Sequence, residues 1–182
     1  MRRFCMMMGI ILITLINSML ISGCRSGRNC PITSLLLEKS EFPPGATADS
    51  ISSPLSEKPK ESAARDYWSG TPAYHYVGRY PSLILSKENY REIDERTFNT
   101  GKHDGPWVTP EELTYISPIA DEYHVACGMA GAWYQCRMFG RYGEYHVLFW
   151  AYISDQGITI QTFESLLQAI DTKMVQCLSE KK

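Results

Sequence analysis

The sequence predicts an α+β domain: an antiparallel sheet of about four to five strands with a C-terminal amphipathic helix packed on one face. Three observations carry the prediction. Phe163, Leu166, Leu167, Ile170, Met174, Cys177 and Leu178 recur at helical spacing, with Glu164, Gln168, Asp171 and Lys173 expected on the opposite, polar side. Residues 121–127, 133–139 and 145–153 read as strands separated by the Gly-containing turns GMAG and GRYG. Tyr74, Tyr76 and Tyr80 alternate with His75, Val77 and Arg79, the period of a strand.

The first 23 residues are expected to be an export signal rather than part of the fold. Arg2 and Arg3 supply a positive start, and residues 4–21 follow without a charge. An apolar run of 18 residues sits at the short end of what spans a bilayer. It ends in Ile21-Ser22-Gly23-Cys24. That segment resembles the lipobox of bacterial lipoproteins, an aliphatic and two small residues before a cysteine. The resemblance implies that the Cys24 thiol receives a diacylglycerol, that a peptidase cuts before it, and that the new amine is acylated. Two or three acyl chains, at about 0.8 kcal/mol per buried methylene, make attachment durable where one does not. Arg25 stands where an Asp often retains such lipoproteins in an inner membrane. The expected address is therefore the extracytoplasmic side of the cell membrane or outer membrane.

Residues 24–30 read as a tether and 31–182 as one globular domain. Within it, PITSLLLEK is expected to form a brief helix burying Leu35, Leu36 and Leu37. Residues 42–64 are rich in Pro, Ser and charge and read as a mobile loop. The tyrosine strand follows. Ser86 is the expected N-cap of a helix over KENYREIDERTF. After the loop NTGKHDGPW, VTPEEL suggests a short helical turn at Pro110. The last strand segment, YHVLFWAYI, is apolar on both faces and is expected to be central and covered on both sides. Its short turns make the meander antiparallel. The C-terminal helix closes the domain. This order is similar in outline to PsbP-like α/β sandwich domains, some of them lipoproteins. The LLLEKSEFPPG segment is similar to the opening of some small bacterial lipoproteins. Neither likeness transfers a functional residue.

Four of the six cysteines remain beyond the signal and Cys24, namely Cys30, Cys127, Cys136 and Cys177. An even number in an exported domain suggests two disulfides, with three possible connectivities. A hairpin turning at Gly131-Ala132 puts Cys127 opposite Cys136, which leaves Cys30 for Cys177. The spacing contains no C-x-x-C and fits no zinc pattern.

The chemistry is less legible. At 44% hydrophobic and 21% charged, the chain can bury a core. Arg2 and Arg3 are the only charged residues in 1–23, so the remainder carries 16 basic against 20 acidic side chains, a net of −4. Phosphate backbones repel such a domain, and nucleic acid is not an expected partner. The bilayer, another envelope protein, cell-wall material or a small molecule are. No catalytic residue, metal site or cofactor is expected. His103-Asp104 lacks a third ligand, and Glu111-Glu112 and Asp121-Glu122 lack the spacing that glycoside cleavage requires. Aromatic residues make up 12% of the chain, and Tyr67, Trp68, Tyr74, Tyr76 and Tyr80 cluster as binding candidates. The expectation is a non-enzymatic, membrane-tethered binding or accessory domain. The alternative is an envelope thiol enzyme or hydrolase in which His124 or His146 activates a free Cys127.

Overall fold

A computed structural model describes residues 30–54, 58–99 and 106–179. The signal, Cys24, the tether before Cys30 and the His103-Asp104 pair lie outside the described residues. The fold is α+β, with six antiparallel strands: β1 (Thr47–Ala48), β2 (Glu61–Ser69), β3 (Thr71–Arg79), β4 (Glu122–Ala130), β5 (Trp133–Tyr142) and β6 (Tyr145–Tyr152). Helix α1 (Leu83–Phe98) joins β3 to β4, and α2 (Ile160–Ser179) ends the chain. The strand order is β1-β2-β3-β6-β5-β4. Among the described residues no helix is long and apolar enough to cross a membrane.

The sheet has more strands than the four to five expected, because β1 and the first residues of β2 come from the segment 42–64 expected to be a mobile loop. β1 pairs with β2 at Thr47 and Trp68, and Ser52 bridges Ala64. Ala63 and Ala64 are fully buried within β2. Small side chains in a polar, Pro-rich context hide the period of two, although they pack on a sheet as well as larger ones. The expected helix in PITSLLLEK is instead two 3₁₀ turns, Ile32–Leu35 and Lys39–Glu41, and it does bury Leu35, Leu36 and Leu37. VTPEEL makes only a turn, in which the Leu113 amide donates to the Pro110 carbonyl (3.1 Å).

Helix α1 starts one turn earlier than expected. Ser82 is its N-cap, accepting from the Leu85 amide at 3.2 Å. Ser86 lies inside the helix, fully buried, and its hydroxyl donates to the Gly143 carbonyl. The cause is Leu83-Ile84-Leu85, an apolar triplet that occupies the first helical turn while staying exposed.

Alternation divides the sheet into two faces. One carries Ala63, Tyr67, Ala73, Val77, Val125, Met138, Tyr142, Tyr145, Val147 and Phe149, and α2 lies on it through Phe163, Leu166, Leu167, Ile170 and Met174. The α2 stripe is the predicted one, with one correction. Asp171 points inward, only 5% exposed, not outward with Lys173. It accepts hydrogen bonds from the hydroxyls of Tyr142 (2.7 Å) and Tyr115 (2.6 Å), which offset the cost of its burial. Asp171→Ala removes the shared acceptor of two hydroxyls, so a loss of about 2–3 kcal/mol in denaturant unfolding is expected, with Asp171→Asn losing less.

The four cysteines pair as expected. Cys127 and Cys136 are opposite each other in the β4–β5 register, with Cα atoms 4.0 Å apart. Gly131 supplies the positive φ of +62° that their two-residue hairpin needs. Cys30 pairs with Cys177 near the end of α2, with Cα atoms 5.5 Å apart.

Candidate functional site

The second face of the sheet is covered over only part of its area. Register places Ser62, Gly78, His146, Arg141 and Glu122 in one row across it, then Ala64, Tyr76, Leu148, Phe139 and His124 in the next. Helix α1 closes over the β4–β6 side of these two rows. Tyr90 stacks on Phe139 (4.8 Å) and meets His146 edge-on, while Phe98 stacks on His124 (3.8 Å). Asp94 of α1 holds the His124 ring through Nδ1 at 2.9 Å.

Beyond α1 the rows stay partly open on their β3–β6 side, while Ala126, Gly128 and Gln135 on the β4–β5 side are buried. The next one reads Asp66, Tyr74, Trp150, Arg137 and Ala126, and past it lie Tyr152, Gln135 and Gly128, with Trp68 opposite Pro72. Ring centroids run from Tyr74 to Trp150 (5.8 Å), Trp150 to Tyr152 (5.6 Å) and Tyr152 to Trp133 (5.9 Å). Trp133 is 61% exposed and Trp68 56%. Tyr74, Trp150 and Tyr152 are half-buried. Tyr74 and Trp150 are stacked, with 25° between their planes, while Tyr152 is turned 63° from Trp150 and 46° from Trp133.

Arg137 closes one side of the aromatic surface. Its guanidinium lies 4.1 Å over the Trp107 ring and donates to the Thr97 carbonyl and the Gln135 side chain. Trp107 lies against the backbone of Gly128, where a Cβ would meet its ring at 3.1 Å. A side chain there would require the indole to shift by a few tenths of an ångström. The arginine is thus held flat beside Trp150 instead of reaching into solvent.

The five predicted binding residues divide. Trp68, Tyr74 and Tyr76 lie on the partly open face, with Tyr76 half-buried and its hydroxyl over Gly78. Tyr67 faces α2 instead, 3% exposed, stacked on Phe42 (4.4 Å) and donating to the Leu37 carbonyl. Tyr80 follows β3 and is buried against His146 (4.3 Å). Trp150, Tyr152, Trp133 and Arg137 are the members sequence reasoning missed. YHVLFWAYI reads as covered on both sides, yet only its His146 end is. The signal available was a Trp-x-Tyr on one face of β6 beside the tryptophan that follows the β4–β5 turn.

The Cys–His arrangement does not assemble. Cys127 is bonded to Cys136 and faces α2, whereas His124 and His146 lie on the opposite face. Among the described residues no free thiol stands within reach of either imidazole. His146 is buried, its Nε2 2.9 Å from the Ser86 carbonyl, and its pKa is lowered to about 4 by burial first and by Arg141 second, despite that hydrogen bond. Asp121 and Glu122 both pair with Arg141, and Glu111 and Glu112 stand exposed in a turn. No protein-family model matches the chain, and no curated protein matches it.

Proposed function

We propose that this chain is a membrane-tethered cell-envelope lipoprotein whose work is non-enzymatic binding, with the open aromatic face of its sheet docking another envelope protein. The observation that carries the binding reading is the unbroken line of rings from Tyr74 through Trp150 and Tyr152 to Trp133, left uncovered by both helices. Trp, Tyr and Arg dominate the energetic centres of protein interfaces, because they bring large contact area and a polar tip at low entropic cost. A lone exposed tryptophan is ordinary; Trp68, Trp133, Trp150 and Arg137 around two tyrosines are not. The turn of Tyr152 away from the stacked Tyr74–Trp150 pair suits a shaped protein surface better than a flat ligand. The tether reading rests on Ile21-Ser22-Gly23-Cys24 after a charge-free apolar run.

The test is native electrophoresis of mild-detergent extracts. The wild-type protein is expected to migrate in a complex larger than itself. Trp68→Ala/Trp133→Ala removes two exposed rings, so the isolated fold should change by no more than about 0.5 kcal/mol. The apparent dissociation constant of the complex should rise at least about 30-fold, the change expected when one interface centre of about 2 kcal/mol is removed. Unchanged complex in that variant, or sedimentation with purified cell wall that depends on the same two residues, would overturn the protein-docking reading.

A further inference from the structure

Among the described residues, the apolar triplet that starts α1 is left largely uncovered. Leu83, Ile84 and Leu85 are 51%, 69% and 42% exposed. Three consecutive exposed apolar residues cost solubility and are kept where they serve a contact. Leu83 and Ile84 share a shallow hollow with Leu178, Lys87, Ile119 and Arg141. Leu178 follows Cys177, which is bonded to Cys30. Cys30 therefore lies at this same end of the molecule. Six residue steps lead from Cys24 to Cys30, a reach of at most about 20 Å when fully extended.

The aromatic face lies at the other end. β6 begins at Tyr145, beside the Gly143 turn that also lines the hollow, and ends at Tyr152 against Trp133. Seven strand steps of about 3.3 Å put roughly 23 Å between them.

From these placements we propose that the Leu83-Ile84-Leu85 end rests in the interfacial layer of the membrane that holds the chain, and that the aromatic face is thereby presented away from the bilayer. The proposal rests on the tether reading above. A short tether alone leaves orientation undetermined; an apolar tip beside its attachment point fixes it. Burial of aliphatic side chains at the headgroup boundary supplies the driving force. Lys87 sits beside the tip, where a long basic side chain can reach headgroup phosphates. The lipid surface is favoured over a second copy of the chain because the covalent attachment already brings the tip to it.

The test uses the full-length protein, purified from membranes and reconstituted in phosphatidylethanolamine–phosphatidylglycerol vesicles. An environment-sensitive fluorophore is placed at Ile84→Cys and, separately, at Trp133→Cys. Mass spectrometry of each sample reads the acyl mass on Cys24. The expected result is an acylated protein in which lipid-borne quenchers quench the position-84 probe at least threefold more than the position-133 probe. Equal quenching at both positions in acylated protein overturns the orientation and leaves the tether standing. A water-shielded but lipid-unquenched position 84 means that protein covers the tip, and overturns it too. Absence of acyl mass on Cys24 overturns the tether and the orientation together.

Discussion

Replacing Cys30 and Cys177 together by Ala is expected to lower stability by about 5 kcal/mol, roughly twice the loss from replacing Cys127 and Cys136. The reasoning is topological. A cross-link removes conformations from the unfolded chain in proportion to the logarithm of the loop it closes. The first link joins residues 147 apart and the second only 9 apart. The same scaling gives about 2.7 kcal/mol for the short loop. The long link also has a local role. It clamps the Ile32–Leu35 3₁₀ turn, with Leu36 and Leu37 that follow it into the core, against the last turns of α2. For a domain of this size the larger loss corresponds to a fall of about 10–20 °C in thermal midpoint. Calorimetry of the two double-alanine variants beside the oxidised parent measures both. Equal losses, or a larger one from the β4–β5 pair, would contradict the argument.

Acid should weaken the fold more than its surface charges suggest. His75 on β3 is fully buried, and its Nδ1 accepts from the Leu37 amide at 3.0 Å. Burial, and then the charge of Lys173, lowers its pKa to about 3. His146 is held at about 4. Above pH 6.5 both rings are neutral folded or unfolded, and neither contributes to pH dependence. Between 6.5 and 4 the unfolded chain binds a proton on each ring and the folded chain binds none, so stability falls as pH falls. Two such groups give a slope of about 2.7 kcal/mol per pH unit, or about 5 kcal/mol lost by pH 4.5. That equals the whole stability of many domains. Denaturant unfolding at pH 7.0, 5.5 and 4.5 measures the slope. His75→Gln retains an acceptor for the Leu37 amide and cannot titrate, so it should roughly halve the slope. A stability flat from pH 7 to 5 would contradict the assignment of both rings as buried and neutral.

What could be read from the sequence, and what could not, follows from the range of the physics involved. Helix α2 is legible because seven apolar residues keep one period over four turns, and the β4–β5–β6 meander because Gly131 and Gly143 mark its turns. The Cys127 and Cys136 pair follows from the same turn, since a two-residue hairpin fixes register. β2 is not legible, because Ala63 and Ala64 give no hydrophobic signal although they are buried. Asp171 is misplaced for the opposite reason. A carboxylate suggests solvent, and only the fold brings Tyr115 and Tyr142 to it from distant parts of the chain. The aromatic face was half legible. Trp68, Tyr74 and Tyr76 stand out as a cluster, but Trp150 and Tyr152 look like core until the length of α1 is known. That helix covers one side of two rows and touches the third only where the Thr97 carbonyl meets Arg137, which no local pattern in β6 records.

The central claim is that the face carrying Trp133, Trp150 and Tyr152 meets a protein partner in the envelope. Photo-crosslinking in intact cells tests it most directly, with a photoreactive amino acid at Trp133 or Trp68 and, as a control, at Val175 on the exposed side of α2. The account predicts one discrete protein adduct from Trp133 and Trp68, absent from Val175 and lost when Trp150→Ala is added. Adducts of the same mass from all three positions, or none from the aromatic face, would contradict it.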